Sequence, residues 1–350
     1  MTRNNIDKMM RVLVVTLLVV SAGWATVSKV GTTGAAFLKI GVGRATAMGE
    51  AFVALADDAS AAYYNPAGLS HVARQIQLNH VDWIADINHD YLSAVLPVSN
   101  FGTVAFSVTA LTMGDMEQTT IDNPDTKARE DEGRTVMFSA SDFAFGVSYA
   151  RIITEKLAFG VTAKGIQQNV WDLSASALGV DMGLYYNTGF RSLRIGSMVA
   201  NYGTRLAYSG RQLEYIFGWP DSGPGQLNGT YKTEGMPLPT VFRFGVAYDL
   251  IDASASKLTV AVDLTHPSDI NETVNFGLEY GYNKAFYMRG GYILNVDQEY
   301  QEDIGWLTGL SAGVGMNTQP AKGLKLGLDY CFRYLKYLKP THRVLLTVGF

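Results

Sequence analysis

The chain has 350 residues, of which 47% are hydrophobic, and its 28 basic and 32 acidic side chains give a formal net charge of -4. This near balance gives no reason to expect a nucleic-acid partner, which requires a basic patch or stripe. The single cysteine, Cys331, excludes an intrachain disulfide framework and leaves a zinc site without thiolate partners, so we expect no metal centre.

The first 25 residues have the order of a secretory signal peptide. Basic residues come first, an uncharged run with the apolar core Val12 to Val20 follows, and small residues surround Ala25. The apolar core is shorter than the roughly 20 residues that a spanning helix needs. We therefore expect residues 1–25 to be removed rather than kept as an anchor. If the exported chain enters a membrane, it must span as strands.

Residues 26–72 differ in composition from the rest of the chain. This segment is rich in alanine and glycine and shows almost no alternation of polar and apolar residues. Met48, Phe52 and Leu55 have a helical spacing. Because about forty residues cannot easily bury a core of their own, we expect the segment to lie against or inside something larger.

Four short motifs of this segment occur in the order found in a known family. They are Gly41 to Ala45 (GVGRA), Met48 to Phe52 (MGEAF), Ala56 to Ala61 (ADDASA) and Tyr64 to Gly68 (YNPAG). The segment resembles the amino-terminal motif of PorV/PorQ-type outer-membrane proteins, which are similar in turn to the long-chain fatty acid transporter FadL. Glu50 stands where that family more often has glycine.

The resemblance implies an architecture for both parts of the chain. In the wider family this segment is a hatch that plugs the periplasmic side of a barrel of about fourteen strands. Residues 26–72 are then the hatch and residues 73–350 the transmembrane barrel. The hatch motif residues that carry over to this sequence are Gly43, Arg44, Gly49, Asp57, Asp58, Asn65 and Pro66.

From Arg74 onward the sequence alternates with the period of a β-strand, which predicts fourteen strands. Their bounds are Arg74 to Trp83, Tyr91 to Val98, Gly102 to Leu111, Asp142 to Ile152, Leu157 to Gln167, Ala177 to Tyr186, Leu193 to Tyr202, Thr240 to Tyr248, Leu258 to Leu264, Val274 to Tyr282, Ala285 to Tyr292, Leu307 to Met316, Leu324 to Arg333 and Thr341 to Phe350. The last strand ends its apolar face on Phe350, as expected of a strand that pairs with the first and closes a barrel.

The lengths of the predicted connections follow strand order. Connections after even-numbered strands are short, whereas the long ones, Thr112 to Ser141, Gly203 to Pro239 and Ile293 to Trp306, follow odd-numbered strands. A bacterial barrel with both termini in the periplasm has short turns on that side and longer loops outside. A soluble β-sandwich has no reason to sort its connections in this way. The pattern favours an all-β, transmembrane, antiparallel barrel in the outer membrane.

Charged side chains lie opposite the apolar faces of the predicted strands, where they would line the lumen. They are Lys164, Asp181, Arg194, Arg243, Asp263, Glu279, Arg289, Lys325 and Asp329. One interpretation is an ionic network that rigidifies a filled barrel, because buried charges must pair. The other takes Arg194, Arg243, Arg289 and Lys325 as lumen contacts, with the arginines facing an acidic head group.

Four aromatic residues of the predicted loops are candidate contacts for a partner or a ligand. They are Trp171, Tyr215, Phe217 and Trp219. Such residues either form a girdle at the membrane boundary or recognise a partner or an apolar ligand, because aromatic side chains dominate binding hot spots.

Signs of catalysis are weak. Gly309 to Gly313 (GLSAG) fits the G-x-S-x-G pattern of serine hydrolases, but that pattern works at a strand-to-helix turn and here lies within a predicted strand. The five histidines show no close metal-ligand spacing. We expect neither an enzyme activity nor a cofactor.

Three functions remain open at this point. The resemblance implies a non-enzymatic PorV/PorQ-type barrel that takes part in type IX secretion and whose outward loops engage secreted cargo proteins. The alternative is FadL-like uptake of a hydrophobic small molecule such as a fatty acid, although the short connection Gln168 to Ser176 counts against a direct transfer of FadL specificity. The third is a structural surface protein. Outer-membrane lipid is a partner in each case.

Overall fold

The computed structural model describes residues 33–117, 119–120, 123–127, 137–218 and 226–350. The predicted signal peptide (residues 1–25) and Trp219 lie outside these residues, as does the side chain of Phe217. Residues 26–32 also lie outside them, so the predicted boundaries 26–72 and 73–350 stay predictions. Within the described residues no helix is long and apolar enough to cross a membrane.

Residues 33–72, called the hatch below, form a series of short helical turns. The 3₁₀ turns are Ala36–Lys39, Arg44–Met48 and Pro66–His71, and the single α-helical turn of this segment, α1, is Ala61–Tyr64. The helical spacing of the sequence does not continue beyond Met48, because Gly49 and Glu50 take left-handed backbone conformations with φ of 61° and 62°. Almost every hatch side chain after Arg44 is buried.

In the described part of the chain, fourteen long strands form one antiparallel sheet, called the wall. They are β1 (Gln75–Asp82), β2 (Asn88–Val98), β3 (Gly102–Thr112), β4 (Ala140–Thr154), β5 (Leu157–Val170), β6 (Leu173–Asn187), β7 (Arg194–Gly203), β8 (Val241–Asp252), β9 (Ser256–Pro267), β10 (Thr273–Tyr282), β11 (Phe286–Asn295), β12 (Leu310–Ala321), β13 (Leu324–Arg333) and β14 (Thr341–Gly349). Each predicted strand corresponds to one of these.

The first and last strands close the wall into a barrel. β1 pairs with β2 on one side and with β14 on the other, and Gln75 lies opposite Gly349. The pairing continues to the other end of both strands, where Asp82 lies opposite His342. Closure leaves neither strand with a free edge. The predicted fold class, an antiparallel barrel of fourteen strands with a helical hatch, is confirmed.

The outer surface of the wall is apolar. Buried and exposed residues alternate along β6, because successive side chains of a strand point to opposite faces. The exposed positions carry large apolar side chains, among them Leu178 at 68% exposure, Val147 at 52% and Leu328 at 51%. An apolar band around a closed sheet is the surface of a barrel that spans a membrane.

The two ends of the barrel differ in the length of their connections. At the turn end, where the wall begins and ends, the connections are 99–101, 155–156, 188–193, 253–255, 283–285 and 322–323. At the loop end they include 113–139, 204–240 and 296–309, whereas β5 and β6 are joined there by Trp171 and Asp172 alone. The predicted separation of short turns from long loops is therefore present.

Several short strands and helical turns lie in the connections at the loop end. Short strand pairs are Met116–Glu117 with Met137–Phe138, Thr119–Thr120 with Asn123–Lys127, and Glu214–Gly218 with Gln226–Thr230, while Ser209–Gly210 adds to β6. The helical elements are the 3₁₀ turns Ile84–Asp86 and Arg211–Leu213 and the helix α2, Gln298–Ile304. The side chain of Asp297 caps α2 by accepting a hydrogen bond from the Tyr300 amide.

The hatch lies inside the barrel and supplies most of its core. Its buried apolar residues pack against small inward residues of the wall, including Ala105 and Ala150 on one side and Ala247 and Ala261 on the other. It also runs along the lumen, because the Gly34 amide bonds to Pro237 at the loop end and Asn65 bonds to β6 near the turn end. The hatch therefore fills the lumen along its length and is more than a plug of one end.

Candidate functional site

Glycines on the inner face of the wall allow the hatch backbone to touch it. A Cβ added at these glycines would collide with the hatch, and they are Gly160, Gly183, Gly196, Gly277, Gly291 and Gly313. Two register pairs fall within this set, Gly160 with Gly183 and Gly277 with Gly291. The close approach of two backbones requires glycine. The sequence alone does not single out these glycines, because their positions next to one another on the inner face depend on the register between strands.

Asn65 of the hatch motif ties the hatch to itself and to the wall. Its side-chain amide donates to the carbonyl oxygens of Val53 at 2.8 Å and of Leu184 on β6 at 3.0 Å. Its oxygen accepts from the Ala67 amide at 3.1 Å and so caps the turn Pro66–His71, where proline at the first position suits the cap. The Asn-Pro pair thus both starts this turn and fixes it against the wall.

Arg44 of the hatch motif joins an ionic network with the wall. Its guanidinium binds Asp58 at 2.6 Å and also pairs with Asp57. The same guanidinium binds Glu279 of β10 at 2.6 Å, and Glu279 in turn binds Arg289 of β11 at 2.6 Å. Arg289 continues the chain of charges to Asp329 of β13. These contacts match the interpretation of the lumen charges as a paired network.

Asp263 of β9 holds the hatch backbone directly. One carboxylate oxygen accepts hydrogen bonds from the amides of Phe52 at 2.7 Å and Val53 at 2.9 Å. Bonds from backbone amides to a carboxylate are stronger than neutral ones. The sequence placed Asp263 in the lumen but gave no sign of this contact.

The remaining predicted lumen residues have separate environments. Arg194 pairs with Asp249 at 2.6 Å, and Arg243 lies over the rings of Tyr63 and Tyr64 at 5.7 and 5.6 Å. Lys325 is exposed near the turn end. Of the four candidates, the structure therefore engages two in ion pairs, one against hatch aromatics and one with solvent. Their role as ligand contacts stays a prediction.

An apolar group of side chains fills the lumen at the loop end, and we call it the loop-end cluster. Its buried members are Ala35, Phe37, Leu38, Ile40, Ala144, Ile166, Ala175, Ala177, Leu206 and Leu238, with Trp83, Leu111 and Tyr208 partly buried against them. The hatch supplies the first four, strands β4 to β6 the next four, and the connection from β7 to β8 the last two. Elsewhere in the lumen the wall carries mainly small and polar side chains.

The first hatch turn, which carries Phe37 and Leu38, is tethered at the loop end. Asp269, in the connection from β9 to β10, accepts from the Thr33 hydroxyl at 2.7 Å and from Lys39 Nζ at 2.6 Å. Partial burial alone would raise the pKa of Asp269, but the bonds from Lys39 and Thr33 outweigh it and hold that pKa below its ordinary value. The turn is therefore held in place by charge as well as by apolar contact.

The candidate aromatic residues of the loops lie on two separate hairpins. Trp171, at the tight turn between β5 and β6, lies 6.5 Å from the ring of Phe138. Tyr215 packs against Tyr231 at 4.6 Å in the next long loop. Both candidates are exposed, so each is free to contact lipid or a partner. Their role in recognition stays a prediction.

The structure explains two further features of the sequence, Glu50 and the serine of the G-x-S-x-G pattern. Glu50, which stands where the resembled family more often has glycine, accepts a hydrogen bond from Arg333 Nη1 at 2.9 Å. Ser311 of the G-x-S-x-G pattern lies on β12, and its hydroxyl accepts a hydrogen bond from the Gly49 amide at 3.0 Å. Both residues fasten the hatch to the wall.

Comparisons with known proteins show which chains have a similar fold. A family model described as "Uncharacterised protein family (UPF0164)" matches residues 25–197. The search of curated proteins gave no match. Among solved structures, the toluene transporter TodX of Pseudomonas putida is similar at a TM-score of 0.54 and 13% identity, over 87% of this chain and 96% of that one.

Two other solved structures have the same fold. The CymD monoaromatic hydrocarbon channel matches at a TM-score of 0.53 and 13% identity, over 89% of this chain and 98% of that one. A FadL homologue of Pseudomonas aeruginosa matches at 0.50 and 11% identity, over 89% of this chain and 98% of that one. The chain thus has a FadL-like barrel fold. A PorV/PorQ type is not distinguished by these similarities.

Proposed function

We propose that this protein is an outer-membrane channel that admits hydrophobic small molecules at the loop end, with the hatch as its closed gate. The loop-end cluster carries this proposal, because it places an apolar site at the mouth of a lumen whose wall elsewhere carries mainly small and polar side chains. Small-molecule sites are typically concave and apolar with a few polar groups. The fold similarity to two hydrocarbon channels and a FadL homologue supports the same proposed function.

The first hatch turn acts as a built-in occupant of this site. Phe37 and Leu38 are buried against Ile166, Leu206 and Leu238. Burying such a side chain contributes about 1.5 to 3 kcal/mol, and an apolar solute that replaces it recovers a similar amount. The free energy lost when the side chain leaves the site is therefore nearly equal to the free energy gained when the solute enters it. The partly exposed Trp83 and Tyr208 offer aromatic surface to the entering molecule.

Protein export was the first function that the amino-terminal resemblance implied, and the comparisons do not support it. The similar structures are described as transporters or channels for hydrocarbons or as a FadL homologue. The exposed aromatic residues Trp171 and Tyr215 lie on separate hairpins, and no described contact joins them into one cargo surface. Of the three functions, we therefore favour uptake of a hydrophobic small molecule.

A binding measurement with a matched pair of variants tests the proposal. The purified protein in detergent is titrated with naphthalene, whose fluorescence reports transfer to an apolar site. Ile166→Gln places an amide in the loop-end cluster, and Leu178→Gln places the same amide on the outer face of the neighbouring strand. An unsatisfied buried amide costs about 1 to 3 kcal/mol, so we expect Ile166→Gln to weaken binding roughly tenfold and Leu178→Gln to leave it unchanged.

Two outcomes would contradict the proposal. Equal binding by the native protein and Ile166→Gln would show that naphthalene partitions elsewhere, for example into detergent. Co-purification of a secreted protein with the native barrel, without any bound hydrophobic molecule, would instead favour export.

A further inference from the structure

One part of the inner wall carries buried polar atoms that have no partner. Among the described residues of this part the unpaired donors are Nε and Nη2 of Arg343, Nε of Arg333, Nδ2 of Asn79 and one ring nitrogen of His89, and Gln77 Oε1 is an unpaired acceptor beside them. The residues lie on β13, β14, β1 and β2, which are consecutive neighbours across the closure of the barrel. Val81 lies opposite both Arg343 and His89 in register, so these two side chains flank the same position.

Arg343 is a buried cation without a bonded carboxylate. Its exposure is 1%, and its single described hydrogen bond runs from Nη1 to the Thr341 hydroxyl at 3.0 Å. The guanidinium also lies over the Trp83 ring at 5.6 Å, a contact that orients the charge without neutralising it. An arginine stays protonated in proteins. The positive charge is therefore present and requires compensation.

The charges around Arg343 do not balance. Arg333 lies diagonally across from it on β13, since Arg333 pairs in register with Thr341. Arg333 opposes the charge of Arg343, whereas Glu50 favours it. Glu50 is itself bonded to Arg333 at 2.9 Å. Two cations thus share one carboxylate, which leaves a single excess positive charge in an enclosed space.

The hatch segment Gly41 to Gly43 covers this part of the wall. The Gly43 amide donates to Asn79 Oδ1 at 3.2 Å, which turns the Asn79 amide group away from that contact. Gly41 and Gly43 present no side chain, and Gly43 has a φ of 66°. The wall side chains beneath them are almost completely buried, with Asn79 at 3% and His89 at 0% exposure.

We propose that a small inorganic monoanion of the chloride class binds between Arg343 and Arg333, beneath the Gly41 to Gly43 segment of the hatch. The anion receives hydrogen bonds from the unpaired guanidinium nitrogens and from Asn79 Nδ2. It neutralises the excess charge and locks the hatch to the closing strands of the barrel. This site borders the loop-end cluster through Trp83, which contacts both, but it does not rest on the proposed function.

Bromide provides a direct test, because it replaces chloride and scatters anomalously. Crystals of the native protein soaked in sodium bromide are expected to show an anomalous peak in contact with Arg343 Nη2. A bromide peak at exposed lysines but none at Arg343 would overturn the proposal. This measurement needs no variant, so a folding failure of the mutant does not affect it.

Thermal stability provides the second test. The native protein in detergent is melted in sodium chloride and in sodium gluconate at equal ionic strength, since gluconate is too large for the site. We expect a melting temperature about 2 to 4 °C higher in chloride. Arg343→Met should abolish the difference, whereas Lys322→Met, which removes an exposed cation from the turn between β12 and β13, should retain it. The same chloride effect in native protein and Arg343→Met would contradict the proposal.

Discussion

Single glycine positions decide how closely the hatch fits the wall. Gly160 on β5 faces the backbone of Pro66 and Ala67, and its register partner Gly183 on β6 faces Asn65. Any side chain at these positions would occupy the space of the hatch itself. The fit at this point therefore depends on the absence of side chains at the two glycines, in addition to the apolar contact between hatch and wall.

A valine at Gly160 should displace the hatch without disrupting the wall. Gly165 lies on the same strand, and a Cβ added there meets no atom within 4 Å. Overpacking costs about 1 to 3 kcal/mol, and in Gly160→Val this cost falls on the hatch contact. We expect Gly160→Val to raise the ion conductance of protein reconstituted in planar bilayers, and Gly165→Val to match the native protein. Equal conductance of the two variants would contradict this account.

Individual contacts were only partly predictable from the sequence. The period of two assigned Lys164, Asp181 and Glu279 to the inner face, which the structure shows. Their partners depend on the register of neighbouring strands and on the path of the hatch. Arg44 binds Glu279 across a sequence separation of 235 residues. Local patterns carry no information about a pairing of that kind.

The first hatch turn behaves as a tethered element. Its apolar residues contact the loop-end cluster, and its polar residues Thr33 and Lys39 bind Asp269. The rest of the hatch is held by the ionic network of Arg44 and by Asn65. The turn therefore has its own set of attachments, which differ from those of the deeper part.

Acid should loosen this turn. Because the pKa of Asp269 is held below its ordinary value, the tether stabilises the bound turn above about pH 3.9. That stabilisation is lost as the pH falls through the lowered pKa. We expect amide hydrogen exchange of residues 36–39 to be slower in the native protein than in Asp269→Asn at pH 6, and the difference to shrink as the pH is lowered toward and through the depressed pKa. Comparison at equal pH removes the intrinsic pH dependence of exchange, and a difference that does not decrease as the pH falls would argue against the tether.

The elements themselves were well predicted, but their ends were not. β4, β5 and β6 extend beyond the predicted bounds, for example to Val170 instead of Gln167 and from Leu173 instead of Ala177. These added residues include polar ones that lack the alternation of the membrane-facing stretch, so periodicity cannot detect them. The hatch turns were similarly missed in detail, because Gly49 and Glu50 interrupt a helical spacing through their backbone conformation.

At the level of the molecule, closure is the property on which the lumen depends. The sequence indicated it through the terminal Phe350 and the sorting of connection lengths. The pairing of β1 with β14 shows it directly. The function was less predictable, because a thirty-residue motif resemblance pointed to export, whereas the apolar mouth of the lumen arises only when β5, the hatch and a loop come together.

Cross-linking of the two end strands should verify closure in the intact protein. Ile76 on β1 lies opposite Val348 on β14, so their Cα atoms should be about 5.5 Å apart, within disulfide range. We expect Ile76→Cys with Val348→Cys to form an intramolecular disulfide on oxidation, detected by mass spectrometry of the joined peptides. Ile76→Cys with Val344→Cys is offset by four residues, or about 13 Å, and should not. Equal yields in both pairs would mean that the register is not fixed.

The bond between Asp263 and the amides of Phe52 and Val53 has a consequence for how the passage opens. Withdrawal of the deep hatch would leave this carboxylate without its two amide donors, whereas Glu279 would lose Arg44 but keep its ion pair with Arg289. In the proposed channel, a small excursion of the outermost turn leaves these bonds intact, whereas expulsion of the whole segment breaks them and lets water enter the pore.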